Sequence, residues 1–147
     1  MNKRKFLLSV LDIIVLCTVI FFVSMFFVYE ASLIGYVLIA LALLCLASLK
    51  LFGIKIFSVG PDVVFGVIDN GILAAMALFG GEIAGISGAV IGGVVGNAIT
   101  DGIAGLFEGY WAELLVTDQR TVLGSAVGKM AGCLLGAGVI LAIAGLF

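Results

Sequence analysis

Acidic and amide side chains stand where the chain is otherwise apolar. Asp69 and Asn70 interrupt the run VVFGVIDNGILAAMALF, and Asn97 and Asp101 interrupt AVIGGVVGNAITDGIAGLF. Carboxylate and amide oxygens are the hard donors that Na+, Ca2+ and Mg2+ prefer. An Asp near a bilayer centre costs about 2.5–3.5 kcal/mol on insertion scales, so such groups are kept where they have a task or a partner. At about 100° per residue, Asn97, Asp101 and Glu108 fall on one side of a helix, and the spacing of Asp62 and Asp69 gives those two a common face. The expected cation ligands are therefore Asp69, Asn70, Asn97 and Asp101, with Asp62 and Glu108 as outer members and Lys129 as an internal counter-charge.

Two readings of this constellation stay open. In one it is a structural polar core, in which Lys129 pairs with Asp69 or Asp101, because buried charges need partners. In the other it is a cation site or a proton-coupled pathway. One lysine cannot neutralise both Asp69 and Asp101, and two carboxylates so placed repel unless a cation or proton lies between them. Glu30 and Glu82 read as interfacial, and Asp12 as a minor partner or a snorkelling group.

The elements that position these groups follow from composition. Of 147 residues, 64% are hydrophobic and 11% charged, with a mean hydropathy of +1.40. Soluble domains run near 45–50% apolar, and a chain this short has too much surface to hide the excess. An all-α integral membrane protein is expected. Five spans fit the ~20 residues that a bilayer requires: Phe6–Val28, Ser32–Leu51, Val63–Phe79, Ile83–Phe107 and Thr121–Leu146. The runs are continuous and do not alternate, which argues against strands. The first run exceeds a typical signal-peptide core and reads as a retained helix. Residues 1–57 form an N-terminal two-helix hairpin and 58–147 a three-helix core that carries the polar motifs. The tight outer turn is expected near Gly80–Glu82, placing Asp69 at the depth of Asn97 and Asp62 at that of Asp101.

Lys3, Arg4, Lys5, Lys50, Lys55 and Arg120 fall on one side of alternating crossings, which the positive-inside rule makes cytoplasmic. The N-terminus is then inside and the C-terminus outside. The loop Glu108–Arg120 is the largest polar stretch, with Tyr110 and Trp111 as interfacial anchors.

Glycines recur every fourth residue. Gly88, Gly92 and Gly96 make one stripe, Gly124, Gly128, Gly132 and Gly136 another. Residues four apart share a helix face, so each stripe is a groove into which another backbone fits. Packing within the chain and a homodimer interface both use such grooves, and a homodimer is expected.

Several function classes are excluded. There is no His to act as a general base, and the apolar interior offers one lysine, too little for phosphate-handling enzymes. The chain is expected not to be an enzyme and to require no cofactor. Cys17, Cys45 and Cys133 are scattered in apolar runs, unlike a zinc site, and read as buried small hydrophobes. No basic patch suggests nucleic acid. The expected partners are the lipid bilayer, an inorganic cation (bound Na+, Ca2+ or Mg2+) and a second copy.

The stretches FGVIDNGIL (65–73), GNAITDGIAG (96–105) and GKMAGCLLG (128–136) resemble, in that order, the three-helix C-terminal core of the transmembrane protein sixty-five family. The resemblance spans about half the chain. It implies involvement in mitochondrial Na+/Ca2+ exchange, as exchanger or regulator, and carries over Asp69, Asn70, Asn97, Asp101 and Lys129 as the polar motif. This chain departs from the family in two additional N-terminal helices, a short loop before the last helix and no long Arg- and Ser-rich leader. A relative in a bacterial plasma membrane is expected. The function expected is a membrane cation transporter or exchanger. The alternative is a non-transporting subunit that packs on a partner through its glycine stripes.

Overall fold

The computed structural model describes residues 3–114 and 121–145, the side chains of 104, 105 and 107–114 excepted. The helices are α1 (Lys3–Phe27), α2 (Ala31–Leu51), α3 (Gly60–Leu114) and α4 (Val122–Ala144), with a 3-10 turn at Ile56–Val59 before α3. The protein is all-helical over these residues. Four helices are long and apolar enough to cross a membrane, where the sequence suggests five spans.

The difference lies in α3. Its 55 residues contain the expected third and fourth segments joined with no loop between them. The helix breaks at Ala84 (φ −137°, ψ 23°) and Gly85 (φ 59°, ψ −140°), and two limbs, residues 60–83 and 86–114, fold back on each other. A positive φ strains any residue with a Cβ, so the reversal falls on the glycine that can adopt it. The turn is thus displaced from Gly80–Glu82 to 84–85. Gly80 serves packing instead: a Cβ there would overlap the carbonyl of Gly88, and one on Gly92 would overlap that of Met76.

Sequence dictates the other helix ends. The α2 terminus closes with Ile54 N–H on Leu49 O and Gly53 N–H on Lys50 O, each 3.0 Å, with Gly53 at φ 69°. That is the glycine-terminated pattern that satisfies last-turn carbonyls. Pro61 sits in the first turn of α3, where its missing N–H costs nothing. Thr121 caps α4 by accepting from Gly124 N–H at 3.0 Å.

Helix α4 is the centre of the assembly. Its stripe Gly128, Gly132 and Gly136 lies on the 3-10 turn and the first limb of α3, against Val59 and Asp62, Val63 and Gly66, and Val67 and Gly71 in turn. The increasing order on both sides makes these two helices parallel. Another face takes α2, antiparallel, with Gly35 against Gly138 and Ala142. The two-helix hairpin is therefore joined to the core by close backbone packing along α2 and α4. The buried apolar cluster is Leu16, Cys45, Leu49, Val59, Leu123, Val127 and Ala131. Large apolar side chains face outward, among them Phe26 at 79% exposed and Ile86 at 87%. An inside of glycine and small residues with an outside of Phe, Ile, Leu and Val suits a lipid surround, where packing rather than hydrophobic burial joins helices.

Candidate functional site

Asp69 is carried by the first limb of α3, 9% exposed, in the seam between the limbs. Each of its oxygens has a donor. Thr100 Oγ1, from the second limb, donates to Oδ1 at 2.5 Å, and Asn70 Nδ2 donates to Oδ2 at 3.1 Å. Thr100 is 0% exposed and is the hydroxyl in the stripe that begins Gly88, Gly92, Gly96, so the groove that lets the limbs approach also delivers a hydrogen-bond donor to the carboxylate. Asn70 Nδ2 reaches Cys133 Sγ on α4 as well. The network Thr100–Asp69–Asn70–Cys133 thus crosses three packed helical segments.

Asn97 and Asp101 form a separate pair. Asn97 Nδ2 donates to Asp101 Oδ2 at 3.0 Å, one turn apart on the second limb. Asp101 is exposed, and Asn97 half-buried. The limb turns about 100° per residue, so Thr100 faces the first limb while Asp101 points away from it. Asp69 and Asp101 stand at nearly one depth, because the register pairs Asp69 with Thr100, but they occupy different faces. That depth differs by about a turn from the expected match of Asp69 with Asn97, as the displaced reversal requires.

Asp62 is more buried than Asp69, at 2% exposed. Its Oδ1 accepts from Ser125 Oγ of α4 at 2.8 Å, and its Oδ2 is buried with no hydrogen-bond partner among the described residues. Its Cβ packs where Gly128 leaves room. The limb register puts Asp62 at the level of residue 107, about two turns on the near side of Asp69, and not at Asp101. Glu108 lies in the helical backbone of α3, but its side chain is outside the described residues, as are those of Tyr110 and Trp111; Arg120 is outside them altogether. Lys129, half-buried on α4, holds its Nζ 4.6 Å from the centre of the Phe65 ring, within cation–π range. It also lines a crevice between α1 and α4 of about 560 Å³, with Cys17, Phe21, Met25 and Cys133. Asp12 accepts from Ser48 Oγ at 3.4 Å and so ties α1 to α2.

Among the described residues, no three His, Cys, Asp or Glu side chains gather as a metal site. A cation at Asp69 would have neutral oxygens as its remaining ligands, from Asn70 and Thr100. Thr100, Ser125 and Cys133 are the partners that sequence reasoning did not assign. The legible signal for Thr100 was a hydroxyl in line with a glycine stripe and adjacent to Asp101. Ser125 carried none, since its role depends on how α4 docks on α3.

No family model, curated protein or solved structure matches this chain.

Proposed function

We propose that the protein is a membrane cation transporter or exchanger whose polar path runs along the limbs of α3. One observation carries the reading: a buried carboxylate, Asp69, sits in the seam of an apolar helical hairpin at the same depth as an exposed one, Asp101, which follows its hydrogen-bond donor Thr100 by one residue. Carboxylates at this level of a membrane hairpin are costly unless each has a cation or proton to offset its charge. Asp62, further along the same limb and with one oxygen that has no partner among the described residues, continues the acidic track toward the end of α3 that bears Pro61. The resemblance to the transmembrane protein sixty-five core points the same way and suggests Na+ or Ca2+ as cargo.

In this reading both limbs of α3 cross the bilayer, giving five crossings. The end bearing Lys50, Lys55 and the α4 N-terminus is cytoplasmic, and the turns at Glu30 and Glu82–Gly85 face outward. The parallel packing of α4 on the first limb and its antiparallel packing on α2 agree with that order of crossings. The membrane is a bacterial plasma membrane, and the protein acts as a homodimer.

A second reading has its own support. Both oxygens of Asp69 already have donors inside the chain, which is what a purely structural polar core needs. The chain would then be a non-transporting subunit. The glycine stripes, however, are filled by the chain itself on both α3 and α4, which leaves them no room for a partner.

Purified protein in proteoliposomes decides between the two. Transport predicts flux of Na+ or Ca2+, and a melting temperature raised by the same ion through its binding to the folded state. Asp101→Asn, which keeps shape and removes charge, should abolish the ion's effect and leave the ion-free melting temperature unchanged. Absence of flux and of any ion-dependent shift in the wild type would establish the structural reading.

A further inference from the structure

The face of α3's second limb that points away from the first limb has an ordered pattern. Ser87, Val90, Val94, Asn97 and Asp101 follow one another at spacings of three, four, three and four. That is the seam of a left-handed helix pair, in which such positions meet the same positions of a neighbouring helix. Val90 is 61% exposed and Val94 66%, Ser87 and Asp101 are exposed too and Asn97 is half-buried, so among the described residues most of this seam is left uncovered. The centre of the seam lies about 160° around the helix from the centre of the stripe Gly88, Gly92, Gly96 and Thr100, which packs on the first limb. Facing lipid, Val90 and Val94 would be ordinary. Asn97 and Asp101 would not, since they lie about 18 and 24 Å along the limb from the Gly85 reversal, inside the hydrocarbon thickness.

We infer that this seam is where a second copy of the chain packs, and that the two Asn97–Asp101 pairs meet across a two-fold axis to form one shared cation position. The occupant is a second copy because the seam is self-complementary. Each copy presents one amide donor and one carboxylate acceptor a turn apart. After Asn97 Nδ2 donates to its own Asp101 at 3.0 Å, its other N–H is left to donate to the partner's carboxylate. A single polar residue at such a seam position is also the feature that fixes register and copy number in helix pairs. Two copies inserted with the same topology are related by an axis along the membrane normal, so Asp101 of each stands opposite its equivalent. Two like charges at that separation repel, and a cation between two carboxylates and two amide oxygens removes the repulsion. The shared position, and with it the close approach of the two Asp101 side chains, rests on the cation reading above; the packing of Ser87, Val90 and Val94 does not. The interface also moves from where the sequence suggested it, since the α4 glycine stripe is already occupied by α3.

The experiment uses the full chain in liposomes, with Cys17→Ser removing the exposed native thiol. Val94→Cys places a thiol on the seam. Val139→Cys, 47% exposed on α4, is the control. Mild oxidation should give disulfide-linked dimer with Val94→Cys at least fivefold above the control. At high lipid dilution, added Ca2+ or Na+ should raise that yield severalfold, and the rise should vanish in Val94→Cys with Asp101→Asn. Equal yields from the two cysteine positions would overturn the seam. A high Val94→Cys yield that no cation changes would overturn the shared position while the seam stands. Ion flux from protein that does not cross-link would retain the transport reading and sink this one.

Discussion

Replacing Thr100 by Val removes one hydroxyl at nearly constant shape. Thr100 Oγ1 has a single proton and three acceptors within reach: Asp69 Oδ1 at 2.5 Å, and the carbonyls of Gly96 and Asn97, each at 3.0 Å. The carboxylate is both nearest and charged, so it takes the proton. The carbonyls are main-chain acceptors of the same helix and lose little. The cost of the substitution is therefore that of one charge-assisted bond. Such bonds are worth about 1.5–3 kcal/mol in soluble proteins, whereas interhelical bonds in membranes average about 0.6 and reach about 1.7 kcal/mol. Asp69 is 9% exposed and keeps only the Asn70 donor after the change, which places the loss near the top of the membrane range, about 1.5 kcal/mol. Steric trapping in bicelles measures it, for Thr100→Val, Asp69→Asn and the double variant. The cycle should show a coupling of about 1 kcal/mol, because each single change removes the same contact. Thr100→Val within about 0.3 kcal/mol of wild type, or strictly additive single effects, refutes the reasoning.

Three further expectations use the same logic. Gly132→Ala drives a Cβ into the Val63 carbonyl oxygen and to 2.9 Å from Gly66 Cα, whereas Gly71→Ala has its nearest neighbour at 3.8 Å; the first should cost about 1–3 kcal/mol in unfolding by denaturing detergent, and the second should be neutral or stabilising. Gly85→Ala meets no atom within 4 Å but must hold φ 59°, so it should cost about 1–2 kcal/mol, while Gly81→Ala, in helix and 3.5 Å from Ala89 Cβ, should not; equal effects on melting temperature would remove the argument from backbone strain. Cysteines substituted at Glu30 and at Glu82 should react with impermeant reagent from the outside of right-side-out vesicles, and labelling of either only from the cytoplasmic side contradicts the proposed topology.

Much of the architecture was legible in the chain itself. A bilayer-length apolar run is a one-dimensional property, so membrane helices in α1, α2 and α4 follow from composition and length alone. The fourfold glycine spacing announced close helix contacts, because residues four apart on a helix share a face wherever the helix lies. The polar interruptions at Asp69–Asn70 and Asn97–Asp101 also marked themselves by being out of place in apolar sequence. Tertiary structure decided which of these groups meet. Gly80, Gly81 and Gly85 all could have hosted the reversal; it falls on Gly85, which takes φ 59° with no atom within 4 Å of its Cβ position, and with that turn Gly80 packs on Gly88. That shift of a few residues re-registered the limbs. Asp69 then found Thr100 rather than Asn97, and Asp101 was turned to the outside. Helix phase is common knowledge to any sequence, but the angle at which one helix meets another depends on side chains far apart in the chain. Ser125 and Cys133 became partners of Asp62 and Asn70 only because α4 docks parallel to the first limb of α3.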